Sequence, residues 1–200
     1  MKEHNEEKSP SHQEGGLNKL NQDLMLSTLS FLPLKDQVSL FSTSKTQSEE
    51  MREHMSISKL LYLVARGKQD EAEAMIRDNP ELLIKSGDIT DGAGRNFGDI
   101  TALQYAGWAL DAHMWTMMLP YFDQINAREE AGNQLRALEE KGTAHGHHFD
   151  FSPLLNAYQA AIAGWESWSY RERQQHWCRV IGGAQRLLPD HVVQEYTTPD

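Results

Sequence analysis

The sequence predicts an all-α protein, and three observations carry that prediction. Apolar residues recur at helical spacing, three to five apart, along most of the chain. Two stretches, KLLYLVARGKQDEAEAMI at 59–76 and ALQYAGWALDAHMWTMML at 102–119, repeat at an offset of 43. No strand-like run occurs outside 85–99. Repeats of this size imply stacked helix pairs, each burying its face on the next.

Residues 1–16 contain no aliphatic or aromatic residue after Met1, so burial cannot offset their ordering entropy, and they are expected to be a disordered leader. Gly15-Gly16 ends it. From residue 17, Leu20, Leu24, Met25, Leu29, Phe31 and Leu32 form one side of a helix that Pro33 stops. A second short helix carries Val38, Leu40 and Phe41, and a third is expected over Gln47–His54. Three helices in 17–55 are too few for a large core of their own.

The pattern strengthens at Ile57. Ile57, Leu60, Leu61 and Val64 form a stripe ended by Gly67, and Ala72, Met75 and Ile76 mark a helix ending near Asn79-Pro80. The turn-rich segment 85–99 fits a long loop or a small hairpin. Further helices are expected over Thr101–Ala109, Met114–Phe122, Ala127–Glu140, 153–165 and 170–186, followed by a polar tail. Within the repeat, Leu60 falls on Leu103, Tyr62 on Tyr105, Met75 on Met118 and Ile76 on Leu119.

Charge and composition narrow the function classes. Nineteen Lys and Arg against 29 Asp and Glu leave a formal charge of −10. No segment is a basic arm, so a nucleic-acid partner is not expected. No apolar run is long enough to span a membrane, and the N-terminal MKEHNEEKSP is not a secretory signal. Cys178 is the only cysteine, which excludes an intrachain disulfide and a cysteine-rich zinc site. A soluble protein of a reducing compartment is expected.

Three groups of residues invite a chemical reading. His145, His147 and His148, with Asp150 nearby, are the most ligand-like, yet their spacing matches no helical metal motif, and a polar loop is the favoured reading. His176 and Cys178 lie two apart on a helix and do not face each other, so Cys178 reads as an inert small hydrophobe rather than a nucleophile. The glycines and aspartates of 85–99 lack both the calcium-loop pattern and a phosphate-loop lysine. No cofactor, no metal and no catalytic residue is expected. An enzyme with a site near His145–Asp150 and His113 is the reading from another class.

Residues 20–45, LNQDLMLSTLSFLPLKDQVSLFSTSK, resemble the F-box, the three-helix module that docks substrate receptors onto the Skp adaptor of cullin-RING ubiquitin ligases. Leu20 and Leu24 stand at its opening leucines, Leu29 and Leu32 at the later helix positions, Asp36, Val38 and Leu40 at the turn and second helix, and Ser44-Lys45 at the end. Asn21 stands where the family usually has proline, and no Trp follows Lys45. The resemblance implies adaptor binding through Leu20, Asn21, Leu24, Leu29, Leu32, Val38 and Leu40.

Residues 101–106, TALQYA, look like the opening of an ankyrin helix pair, with Ala102 for proline and Gln104 for histidine. The wider stretch 56–198 resembles an ankyrin-like helical module of effectors that intracellular bacteria inject into host cells. An F-box followed by such a module implies a substrate receptor that presents a host protein for ubiquitination in the host cytoplasm. It would perform no chemistry itself. An ankyrin-like binding scaffold with no ligase link is the alternative. In stacked helix pairs the turn-rich connections join the binding side, which points to Asp88, Asp91, Arg95 and Asp99 as a target surface suited to a basic patch. The chain stops at Pro199-Asp200 without a natural terminator, which leaves room for a longer parent.

Overall fold

Lysine 45 opens a helix of 21 residues, α1 (Lys45–Ala65), that runs without a break through the 55/56 position. The separate helix expected over 47–54 is therefore the first part of α1, because Met55 and Ser56 offer no proline or glycine to interrupt it. The computed structural model describes residues 45–197. The leader 1–16, the first two short helices and the adaptor residues Leu20, Asn21, Leu24, Leu29, Leu32, Val38 and Leu40 lie outside the described residues. Arg52–Asp200 forms one compact unit.

The protein is mostly helical, with one two-stranded sheet. After α1 come α2 (Gln69–Asp78), a 3-10 turn (Pro80–Ile84), β1 (Ser86–Thr90) and β2 (Asn96–Thr101). Four helices follow: α3 (Ala102–Trp108), α4 (Ala112–Gln124), α5 (Arg128–Lys141) and α6 (Ser152–Gly164). The last stretch is α7 (Tyr170–His176), a π-helical turn (Trp177–Ile181), α8 (Gly182–Gln185) and α9 (Asp190–Thr197). Helix α9 replaces the expected polar tail, since Val192 packs on the core. Pro120 lies inside α4, where it removes one helical hydrogen bond.

The repeat at offset 43 is a repeated turn. Gly67 and Leu110 occupy equivalent places after α1 and α3, with φ of 64° and 59°. The residues after them, Lys68 and Asp111, share φ near −84° and −81°. Lys68 N–H donates to Leu63 O at 2.9 Å, and Asp111 N–H donates to Ala106 O at 3.0 Å. Gly67 and Leu110 donate to Val64 O and Gly107 O, both at 3.1 Å. This hydrogen-bond pair, closed by a left-handed residue, is the Schellman end of a helix. Asn126, with φ of 56°, closes α4 onto α5 by the same pair of bonds, Asn126 to Asp123 O and Ala127 to Phe122 O. Gly67 is also required by a close approach: a Cβ there would meet His191 Cα at 2.9 Å.

Helices α1 to α5 and the hairpin enclose one core that includes Leu60, Leu61, Ile76, Leu103, Met118 and Phe122, all buried. Gln134 on α5 stitches it from inside. Its Nε2 donates to Leu83 O at 3.1 Å and its Oε1 accepts from Thr101 Oγ1 at 2.8 Å. The two polar residues of TALQYA, Thr101 and Gln104, form a capping box that starts α3. Of the aligned tyrosines, Tyr105 is buried and Tyr62 is exposed.

Helix α6 and the π turn build a second, smaller cluster of Ala157, Ala161 and Ile181, with Trp168 packed against it. His176 Nε2 lies 2.8 Å from Ala157 O, so this nitrogen carries the proton and donates.

Candidate functional site

The segment 85–99 is a hairpin whose polar residues are used internally. Ser86 pairs with Thr101, Gly87 with Ile100, Ile89 with Phe97 and Thr90 with Asn96, so a bulge on β2 sets Gly98 and Asp99 opposite Asp88. Asp99 adopts φ of 50° there, its N–H donates to Asp88 Oδ1 at 3.0 Å, and its carboxylate accepts from the Ser86 hydroxyl. Asp88 and Asp99 thus hold the bulge while remaining exposed.

Asp91 and Arg95 are not a surface pair, and this corrects their assignment to target binding. The Asp91 side chain is 1% exposed and that of Arg95 15%. Asp91 Oδ1 accepts the N–H groups of Ala93 and Arg95 at 3.0 and 2.9 Å, closing the turn. Asp91 Oδ2 accepts Arg95 Nε at 2.7 Å, and Arg95 Nη2 makes an ion-pair contact with it at 2.6 Å without an aligned hydrogen bond. Arg95 Nη1 donates to Leu187 O at 2.6 Å, which ties the hairpin to the chain after α8. The guanidinium lies over Trp108 at 4.9 Å and over Phe149 at 5.2 Å from the ring centres. Stacking leaves the edge of the guanidinium free for Asp91 and Leu187, a division of labour open to arginine and not to lysine.

Around this knot lies an aromatic cluster. Phe97 meets Tyr105, Trp108 and His145 edge-on at 5.1, 4.7 and 4.8 Å, and Trp108 meets Phe149 at 5.9 Å. Burial, with the nearby Asp91 carboxylate, pushes the Tyr105 hydroxyl well above its ordinary range and keeps it neutral. A cavity of about 240 Å³ opens beside the cluster, lined by Arg95, Trp108, His145, Phe149, Asp150 and Leu187 among others. The Ser152 hydroxyl and N–H hold the Asp150 carboxyl below the usual carboxylate range. A second concavity of about 300 Å³ lies on the other side of β2, between Asp99, Gln104 and Lys141.

The three loop histidines do not converge. His145 Nε2 lies 2.9 Å from Asn96 O, His147 Nδ1 3.3 Å from Leu138 O, and His148 Nδ1 3.0 Å from Phe149 O. A carbonyl only accepts, so each of these nitrogens donates a proton and is not a metal ligand in that state. Among the described residues no three His, Cys, Asp or Glu side chains group to hold a metal ion. His113 is exposed on α4, and Cys178 is exposed in the π turn rather than buried. The cavity therefore offers an aromatic wall, a fixed cation and an exposed carboxylate at its rim, an arrangement that accommodates an apolar or planar group. Sequence reasoning missed Trp108 and Phe149 as the clamp on Arg95. The four-residue spacing of Asp91 and Arg95 was the available signal.

The most exposed large apolar side chains lie elsewhere, between the start of α6 and the π turn. Ile162 is 78% exposed and Tyr170 80%, with Leu155, Trp165, Trp177 and Val180 also exposed. Among the described residues, no helix is long and apolar enough to cross a membrane.

Residues 153–200 match a family model described as the CBUA0006 C-terminal domain. The chain is similar to a protein of Coxiella burnetii (strain RSA 493 / Nine Mile phase I) named "Uncharacterized protein CBUA0006", with 37% identity over 163 residues that cover 70% of this chain and 48% of that protein. The chain thus spans about half the length of the curated relative it matches. No solved structure matches it. Over its last quarter, where α6 to α9 lie, the chain is similar to a domain that is recognised as a unit of its own.

Proposed function

We propose that the chain is an F-box substrate receptor that docks on the Skp adaptor of a host cullin-RING ligase and holds a host protein for ubiquitination. The observation that carries this reading is the order of apolar residues in 20–45, with Leu20, Leu24, Leu29, Leu32, Val38 and Leu40 at the positions that face the adaptor in F-boxes. A relative from Coxiella accords with a bacterial effector delivered to the host cytoplasm. The receptor performs no chemistry. It raises the effective concentration of target lysines near the charged thioester. No nucleic acid, cofactor or metal enters the proposal.

Titration calorimetry of the full chain against a purified Skp adaptor tests it. Micromolar binding that falls by about 30-fold or more in the Leu20→Ala, Asn21→Ala double variant is expected, because removing a leucine from a packed interface costs about 2–5 kcal/mol. Absence of binding at micromolar concentration contradicts it.

A second reading, an ankyrin-like scaffold without a ligase link, is favoured by one observation: the turn repeated at Gly67 and Leu110 with matching hydrogen bonds. Repeated helix pairs of that kind serve binding whatever precedes them. Target capture that proceeds unchanged in a chain lacking residues 1–44, together with no adaptor binding, selects it.

A further inference from the structure

Helix α6, SPLLNAYQAAIAG, contains no charged residue. Leu154, Ala157, Ala161 and Gly164 turn inward, and Leu155, Tyr158, Ile162 and Trp165 follow at the same three-and-four spacing one residue on. At about 100° per residue the two rows make an apolar arc of roughly half the circumference. A helix apolar over that width belongs in an interior, yet the second row is left largely uncovered.

The row continues across to the next helix. Tyr170, Arg173, Trp177 and Val180 stand at the same spacing along α7 and the π turn. Arg173 lies over the Trp165 ring at 4.7 Å, and Tyr158 meets Trp177 edge-on at 6.1 Å, so the two rows abut as one face. The Nε of Arg173 is buried and makes no hydrogen bond among the described residues. The π turn, a device often found at functional sites, changes the helical phase where Trp177 and Val180 join this face.

Charge tells what kind of partner fits. In a chain of formal charge −10, residues 152–187 carry four arginines, Arg171, Arg173, Arg179 and Arg186, against two glutamates, Glu166 and Glu172. Glu172 is already bound in the capping box of α7 with Ser169. No lysine occurs in this stretch. Trp, Tyr and Arg with lysine absent is the composition of a protein interface core, whereas an anionic membrane surface attracts lysine and arginine alike.

We infer that the α6–α7 face is a docking surface for an acidic amphipathic helix of another protein, whose apolar stripe covers Leu155, Ile162, Trp165 and Trp177 while its flanking carboxylates meet Arg171 and Arg179. The test of this surface does not depend on adaptor binding.

The probes are three synthetic helical peptides of about 20 residues, sharing one Leu/Ile stripe and flanked by Glu, Gln or Lys. Fluorescence anisotropy with the full chain is expected to rank them Glu, Gln, Lys, with the first about 10-fold or more tighter than the last. Ile162→Ser with Tyr170→Ser, at sites too exposed to unsettle folding, weakens all three about 10-fold. Arg171→Gln with Arg179→Gln erases the Glu-over-Lys preference while leaving the melting temperature unchanged. No peptide binding up to roughly 100 μM, or no charge preference, overturns the inference. So does wild-type binding to phosphatidylserine vesicles in place of the peptides, or a dimer in sedimentation equilibrium that Ile162→Ser with Tyr170→Ser abolishes.

Discussion

Residues 57–149 and residues 152–186 each contain a strongly apolar helix, α4 in the first and α6 in the second, and they use them in opposite ways. In the first region Leu60, Leu103, Met114, Met118 and Phe122 are fully enclosed, and even the charged pair Asp91 and Arg95 is drawn inside. In the second, only Ala157, Ala161, Gly164 and Ile181 are buried, and Ile162, Trp165, Tyr170 and Trp177 stand in solvent. The difference teaches that hydrophobicity of a helix predicts that it will be covered, not what covers it. The first region completes its own interior. The second is half of one.

The largest expected effect breaks the first region from within. Asp91→Ala leaves the Arg95 guanidinium buried between Trp108 and Phe149 without its counter-charge, which costs about 3–5 kcal/mol in urea denaturation. Replacing both residues together, Asp91→Leu with Arg95→Met, costs markedly less, because no charge is then left alone.

Core truncation contrasts the two regions directly. Leu103→Ala, at a residue with no exposure, costs about 2–5 kcal/mol, whereas Ile162→Ala changes stability by about 0.5 kcal/mol or less. Equal losses would mean that the α6–α7 face is covered in the free protein.

Smaller effects come from the repeated turn. Gly67→Ala is destabilising by more than about 1 kcal/mol, since φ is 64° and the new Cβ would strike His191. Leu110→Gly stabilises by up to about 1 kcal/mol, because an exposed leucine held at φ of 59° is relieved. Thermal denaturation of the two variants checks the opposite signs.

The smallest effect is one of pH in the second region. Ser169 holds the Glu172 carboxyl below its ordinary range by side-chain and backbone hydrogen bonds. A lowered folded-state pKa contributes stability that is present above the ordinary carboxylate pKa and is lost as pH falls through the depressed value. The first turn of α7 therefore frays in acid, below about pH 4. The amide shifts of Ser169 and Glu172 in NMR report it, and Ser169→Ala removes the step.

Much of the fold was legible in the sequence, and the site was not. The helices around Leu60, Ile76, Leu103 and Met118 announced themselves by spacing, and Gly142 ended α5 where expected, because both signals are local. Helix α1 ran through 55/56 because the absence of a breaker is weaker information than its presence. Asp91 and Arg95 looked like surface charges since nothing local reveals that Trp108, Phe149 and Leu187, distant in sequence, would close over them. Helix α9 was hidden because its anchors are tertiary: Arg66 Nη1 to Asp190 Oδ2 at 3.0 Å, and His191 beside Asp111 at 3.8 Å. The uncharged run of α6 was visible, and its meaning needed the burial of its neighbours.

Native-state hydrogen exchange across the whole chain tests the contrast between the two regions most directly. The amides of α3 and α4 are expected to exchange only through global unfolding, and those of α6 and α7 through a cheaper, local opening, because fewer buried contacts hold them. Addition of the Glu-flanked peptide should then raise protection in α6 and α7 alone. Equal protection of α3 and α6 in the free protein would contradict the account, since it would show that the second region already has the interior that its exposed face lacks.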